Sequence, residues 1–401
     1  MKRLRFIAAA ALLLALTFQA KAQKLYEELV RSEMARCPDA SYLDGRQGTL
    51  KWDYTTGLEL KAFLDVYCHL DVNCHSEQSE ESKSILSYVD AWYDTMIDEN
   101  GRIHKYKISN YSTDHICPGR TLFQLYDLTG KEKYRMAMDT LYTQIKGMPR
   151  TPEGGFWHKK VYPNQMWLDG LYMAQPFYAE YTGRYIPENE RLANYVDITR
   201  NFLIVAGHTF DPQTGLFRHA WDSSKEMFWA DKVTGQSDHA WGRALGWYCM
   251  ALVETLPLIP DGTPGKKEMI DVLKGIFRNL PFYADPKTGM WYQVLDRPGA
   301  EGNYVEATCS AMFTYSMLKG CRLGYLDIPK KTCKKTFKAF VKTFISREGG
   351  LVNLNRCCEV AGLGGKDNRR GDYQYYINER IRSNDPKGIG PAIWAALEID
   401  R

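Results

Sequence analysis

The chain has 401 residues, 25% of them charged and 44% hydrophobic, enough for two or three average domains or one large closed fold with a sizeable core. Its formal charge of +4 includes Lys2, Arg3, Arg5 and Lys21 of an amino-terminal leader, so the remaining chain carries 48 basic and 48 acidic residues. A neutral chain of this kind is not an electrostatic nucleic-acid binder.

The leader comes first. Lys2, Arg3 and Arg5 precede an apolar run from Phe6 to Phe18, and Ala20-Lys21-Ala22 then forms a small-x-small site. This predicts a signal peptide over residues 1–22, cleaved before Gln23, and an exported protein, periplasmic or secreted. A membrane span needs about 20 apolar residues; the run is shorter, and a retained anchor is the alternative. No Cys follows closely enough for a lipoprotein, and no later segment is long and apolar enough to cross a bilayer. The 10 Cys show no CxxC pair and no metal-ligand spacing. Most read as buried thiols, with one local bridge such as Cys68 to Cys74 permitted by export.

From there a repeat runs along the chain. A Gly turn followed by an apolar residue recurs at Gly48-Thr49-Leu50, Gly101-Arg102-Ile103, Gly154-Gly155-Phe156, Gly215-Leu216-Phe217, Gly289-Met290-Trp291 and Gly349-Gly350-Leu351. Successive copies stand 53, 53, 61, 74 and 60 residues apart. Between them the apolar period is helical: Trp167, Leu168, Leu171, Tyr172, Ala174, Phe177, Tyr178 and Tyr181 recur at three- and four-residue steps. Residues 244–259 and 305–318 also read as helices. Gly130 and Gly183 follow helical runs where a left-handed cap is wanted. Strand signals are confined to short pieces beside the turns, such as Phe217-Arg218-His219. Two helices per unit and six units predict an all-α (α/α)6 barrel with a central pocket; an open helical solenoid is the alternative. No linker or low-complexity stretch divides residues 23–401, which read as one domain.

Aromatic residues make up 13% of the chain, and many stand beside polar groups near the turns: Trp157-His158-Lys159, Trp167-Leu168-Asp169, His219-Ala220-Trp221-Asp222 and Trp241-Gly242-Arg243. A sugar, with an apolar face and a hydroxyl edge, is suited to such pairs; any single Trp is more often core than site, and it is the repeated pairing at one end of the repeats that points to a sugar. Asp169 stands near the start of an aromatic helix. By spacing alone it is either an acid favoured by the helix dipole or a desolvated carboxyl whose raised pKa makes it a proton donor. Asp114, in Ser112-Thr113-Asp114-His115, is either a helix cap or the second carboxylate that glycosidic cleavage uses. Arg243 and Lys159 are candidates to hold a uronate carboxylate. Gly362-Leu363-Gly364-Gly365 lacks the strand and the Lys-Ser/Thr of a phosphate loop. The 8 His have no ligand spacing, so neither metal nor cofactor is expected.

Taken together, these motifs resemble the family 105 glycoside hydrolases, the unsaturated rhamnogalacturonyl hydrolases. The resemblance is carried by Gly154-Gly155-Phe156-Trp157-His158-Lys159 with Gln165 to Met173, by the Asp114-His115 to Pro118-Gly119-Arg120 loop, and by Thr214 to His219. Trp241 to Trp247, Ala361 to Gly365 and Asn384 to Gly388 extend it to the carboxyl end. It implies an (α/α)6 barrel and hydration of the C4=C5 bond of an unsaturated uronic acid at the nonreducing end of pectin-derived oligosaccharides. It also implies that Asp169 is the general acid/base, that Asp114 is its partner, and that Lys159, Trp167, His219, Trp241, Arg243, Trp247 and Tyr54 surround the sugar. On this reading the Asp114 charge would raise the Asp169 pKa by like-charge repulsion. An unsaturated glucuronyl hydrolase acting on ulvan or glycosaminoglycan fragments, a sugar epimerase or isomerase on the same ring, and a non-catalytic carbohydrate-binding protein are the alternatives.

Overall fold

The computed structural model describes residues 24–44, 50–73 and 80–401. The leader, the turn at Gly48 and Cys74 lie outside the described residues. Among those described, twelve long helices form two concentric rings. The outer ring contains α1 (Leu25–Arg36), α3 (Glu80–Met96), α5 (Glu132–Lys146), α7 (Glu188–Thr209), α9 (Lys266–Asn279) and α11 (Lys330–Phe344). The inner ring contains α2 (Tyr54–Asn73), α4 (Arg120–Thr129), α6 (Leu168–Tyr185), α8 (Gly242–Thr255), α10 (Ala307–Arg322) and α13 (Pro386–Asp400), while α12 (Tyr373–Asn378) is a short turn of helix before the last.

The two rings differ as their sequences require. An outer helix buries one stripe: in α5 the apolar residues Tyr134, Ala137, Met138, Leu141 and Ile145 share a face, as an amphipathic helix against a core should. An inner helix is buried all round, every residue from Gly242 to Val253 in α8 being covered. The inner helices pack on one another around the ring, and α13 closes it against α2 while pairing with the outer helix α1. The chain ends are thus joined, which makes the barrel closed rather than an open solenoid. One hydrophobic cluster runs from Tyr26 to Leu397.

The Gly turns are tips of small hairpins between an outer helix and the next inner one. Gly101, Gly154, Gly215, Gly289 and Gly349 have φ between 57° and 96°, a region where a β-carbon is disfavoured. Their flanks pair at Ile97 with Ile103, Arg150 with Phe156, and Ala284 with Trp291. Two tips carry strands: β2 (Phe210–Asp211) with β3 (Leu216–Phe217), and β5 (Ile345–Glu348) with β6 (Leu351–Leu354). Because all these hairpins join outer to inner helices, the inner helices all begin at the same end of the barrel.

Two expectations are corrected. Gly130 caps α4 with φ 66°, but Gly183 lies inside α6, which runs on to Tyr185. A β-carbon at Gly183 would stand 3.2 Å from the Tyr195 hydroxyl, so this glycine serves the packing of α7 on α6. The strand beside Gly215 stops at Phe217, and His219 precedes another strand, β4 (Ala220–Asp222).

Candidate active site

The inner helices open their amino-terminal ends onto a cavity of about 570 Å³, within the range of small-ligand sites. Short backbone pairings between the connections put its functional side chains in place. Strand β1 (Gln165–Trp167) pairs antiparallel with β4, Trp167 facing Ala220. Leu168 N–H donates to the His219 carbonyl at 3.1 Å. This sets Asp169, in the first turn of α6, against His219. On the other side, His158 N–H donates to the Gln165 carbonyl at 2.8 Å, and Thr113 N–H donates to the His158 carbonyl at 3.1 Å. That brings the Asp114 turn against Lys159. A β-carbon at Gly170 would lie 3.0 Å from His158 Nδ1, so the glycine after Asp169 lets the imidazole sit on the start of α6.

Asp114 and Asp169 both line the cavity, with side chains 15% and 13% exposed. Lys159 is ion-paired to Asp114 Oδ2, and His158 Nε2 is 3.6 Å from Asp114 Oδ1. His219 Nε2 is 3.2 Å from Asp169 Oδ2, close but misaligned, and neither atom has a hydrogen-bond partner among the described residues. The other imidazole nitrogen of His219 bonds the Tyr376 hydroxyl at 2.7 Å. His158 and Tyr162 both stack on Trp167, with ring centroids 4.5 Å and 5.1 Å from it and planes within 13°, and stand 6.3 Å from each other. A separate small cluster of Ala220, Trp229, Ala230 and Leu363 supports Trp167.

Residues 25–401 match the sequence profile of Glycosyl Hydrolase Family 88. A solved family 105 glycoside hydrolase from C. acetobutylicum is 41% identical with a TM-score of 0.85, the match covering 94% of this chain and 99% of that one. The chain belongs to glycoside hydrolase family 88/105. Among curated relatives, Protein Atu3128 of Agrobacterium fabrum is 35% identical over 240 residues, 56% of this chain and 97% of that protein. The unsaturated rhamnogalacturonyl hydrolase YesR of Bacillus subtilis is 25% identical over 303 residues, 74% of this chain and 78% of YesR.

The enzyme places its predicted site residues in two layers. Tyr54, Asp114, Lys159, Trp167 and Asp169 line the cavity. Trp241, Arg243 and Trp247 are buried behind it. Trp241 packs on His219 at 4.8 Å, and Trp247 lies against Tyr54 and Tyr172. Arg243 lies 4.6 Å over the Trp241 ring and donates to the Cys358 carbonyl at 2.5 Å. Through these contacts it supports the cavity wall behind Trp241. Tyr162, Arg369, Arg382 and Lys387 line the cavity as well, without having been singled out as binding residues; they stand in motifs with no chemical pattern of their own.

The electrostatics also depart from expectation. Burial, the largest influence, pushes the Asp169 carboxyl up, but His219 beside it and His158 outweigh burial and hold it below the usual value. Asp114 is likewise lowered, burial being overcome by Lys159 and His158. The predicted rise of Asp169 counted burial and Asp114 alone; it left out an imidazole delivered from fifty residues away. Burial pushes His158 down to about 4, which keeps it neutral near pH 7.

Proposed function

We propose that the enzyme removes a 4,5-unsaturated uronic acid from the nonreducing end of lyase-generated rhamnogalacturonan fragments, by hydrating the C4=C5 double bond. The observation that carries this reading is the convergence of two carboxylates, Asp169 and Asp114, on one cavity beside a lysine and a cluster of stacked aromatic rings. The similarity to YesR supports the substrate class.

In this reaction Asp169 gives a proton to C4, and positive charge builds on C5 and the ring oxygen. An anionic Asp114 nearby stabilises that charge. Water adds at C5 and returns a proton to Asp169, and the resulting hemiketal opens to release the neighbouring sugar. Asp169 must therefore be protonated at the moment of transfer, although the protein's own groups favour its ionised form. The uronate resolves this. Its carboxylate brings a like charge into the cavity and its ring displaces water, and both raise a carboxyl pKa. Lys159 lines the cavity and is the cation nearest the catalytic pair to receive that carboxylate. The leader of residues 1–22 supports an exported enzyme, periplasmic or secreted.

The ultraviolet absorbance of the double bond tests the reading. It should fall with unsaturated disaccharides from rhamnogalacturonan, and Asp169→Asn should lose about 10²–10⁴-fold of the rate while keeping its Tm. Loss only on ulvan or glycosaminoglycan disaccharides would reassign the substrate. Isomerised sugar with an intact double bond, or near-normal turnover by the variant, would overturn the mechanism.

A further inference from the structure

The glycine-rich segment Gly362-Leu363-Gly364-Gly365 has no part in the chemistry above, yet it belongs to the rim of the same cavity, between Ala361 and Arg369. Its shape is set by one side chain. Arg369 folds back so that Nε donates to the Gly364 carbonyl at 3.0 Å and Nη2 to the Leu363 carbonyl at 3.2 Å. A β-carbon at Gly362 would stand 2.4 Å from Arg369 Nη1, and one at Gly365 would stand 3.1 Å from Nη2. Gly364 and Gly365 also have φ of 57° and 75°. The segment is a socket for a guanidinium rather than a cradle for phosphate.

Arg369 lines the sugar cavity. Its Nη2 also donates to the Tyr162 hydroxyl at 3.2 Å, and Tyr162 is the most exposed of the three stacked rings, sharing Trp167 with the His158 ring that stands beside Asp114. Arg369 is thus attached to the edge of the aromatic cluster through Tyr162, while Asp114 adjoins it through His158. It also differs in charge balance from the other cations lining the cavity. Lys51 pairs with Asp53, Lys159 with Asp114, Arg380 and Arg382 with Glu359, and Lys387 with Asp385. Arg369 bonds only carbonyl and hydroxyl oxygens, and no carboxylate of the described residues pairs with it. Its Nη1 has no hydrogen-bond partner among them. An arginine held in one geometry by neutral oxygens keeps its charge, and here its two Nη1 hydrogens, for an incoming anion.

We infer that Arg369 is a specificity-determining residue that binds an anionic group, a carboxylate or a sulfate ester, on the leaving part of the oligosaccharide. The inference rests on the proposed reaction for its direction: the unsaturated uronate sits at Asp114 and Asp169, and the chain beyond it passes over Tyr162 towards Arg369. A neutral leaving sugar would reach the Tyr162 ring but leave the guanidinium unused.

Three substrates separate the possibilities: an unsaturated disaccharide with a neutral leaving sugar, an unsaturated tetrasaccharide with a second uronate beyond it, and an unsaturated disaccharide sulfated on the leaving sugar. The wild type should prefer one acidic substrate over the neutral one in kcat/KM, through KM. Arg369→Gln should erase roughly tenfold of that preference, the size of a charge-assisted hydrogen bond, and Arg369→Lys should restore part of it. Which acidic substrate loses its advantage identifies carboxylate or sulfate. Equal losses on acidic and neutral substrates, with a lowered Tm, would mean that Arg369 only holds the glycine loop and would overturn the inference; so would an unaltered preference. If the wild type consumes none of the three, the proposed reaction fails. Calorimetric titration with saturated fragments bearing one or two carboxylates, into wild type and Arg369→Gln, then decides the anion site by itself: weaker binding of the second carboxylate in the variant upholds it, and equal binding overturns it.

Discussion

Asp169 stands between two opposing influences, burial that favours its neutral form and His219 that favours its charge, with His219 and His158 together prevailing. Removing His219 should therefore move the pH profile in a definite direction. On the proposed mechanism the rate should fall as pH rises through the Asp169 pKa, because the donor loses its proton. His219→Gln takes away the group that lowers this pKa, so the alkaline fall in kcat/KM should move to higher pH, as measured on the unsaturated disaccharide. A fall that stays in place, or moves to lower pH, would show that His219 does not tune the acid. Asp114 answers a different question, since its charge is shared with Lys159. Asp114→Asn should lower kcat by about 10²-fold without raising KM, because the freed lysine remains to hold the uronate. A rise in KM with kcat kept would instead make Asp114 a substrate anchor. At this scale the sequence made Asp169, Lys159 and Trp167 legible, because each stands in an aromatic-polar motif, and Asp114 through the Asp114-His115 to Arg120 loop that carries the family resemblance. It could not make legible the Tyr376 contact to His219 or the Tyr162–Arg369 contact, which span 157 and 207 residues.

The helices owe their positions to where glycine permits close approach. A β-carbon at Gly242, the first residue of α8, would stand 2.7 Å from the Tyr292 carbonyl oxygen and 2.9 Å from Cys309 Sγ. The first of these is backbone and cannot rotate away. Gly242→Ala should cost about 1–3 kcal/mol, lowering Tm by roughly 2–4 °C for each kcal/mol. Gly275, inside the outer helix α9, meets nothing within 4 Å. There Ala removes only the entropy that glycine loses, and Gly275→Ala should raise stability by about 0.5–1 kcal/mol. Thermal unfolding of the pair checks both signs, and the same sign for both would sink the argument. The six-fold helical rhythm was readable because each repeat carries its own Gly turn and an apolar stripe of helical period. The layering of Trp241, Arg243 and Trp247 behind the cavity was not. Inner helices are buried all round, so no apolar stripe in the sequence distinguishes the cavity-facing side from the others.

At the scale of the whole molecule, the ring is closed by its first and last helices, and ionisable groups are buried at that seam. Glu59 on α2 is fully buried, and neither of its carboxyl oxygens has a hydrogen-bond partner among the described residues. Burial pushes its carboxyl well up, with Glu33 on α1, Asp385 and Asp44 pushing the same way and Arg382 opposing them. Burial raises Glu33 as well, to about 7, against the pull of Arg36. The sign follows from proton counting. Between the ordinary glutamate range and these raised values, the folded chain keeps protons that the unfolded chain has released. Raising the pH through that window therefore costs stability, which is fully present only below it. The lowered carboxyls, Asp114, Asp169 and Asp385, act oppositely: their contribution is kept above the ordinary aspartate range and lost as pH falls below it. Stability should peak between the two, near pH 4–5, and decline towards pH 8. Glu59→Gln keeps the shape of the neutral side chain and removes the charge that must form as pH rises. Its Tm should exceed that of the wild type at pH 8 and approach it at pH 5, so that the fall between the two pH values is smaller in the variant. An identical fall in both proteins would mean that the Glu59 carboxyl is not raised by folding, and that burial at the seam does not hold its proton.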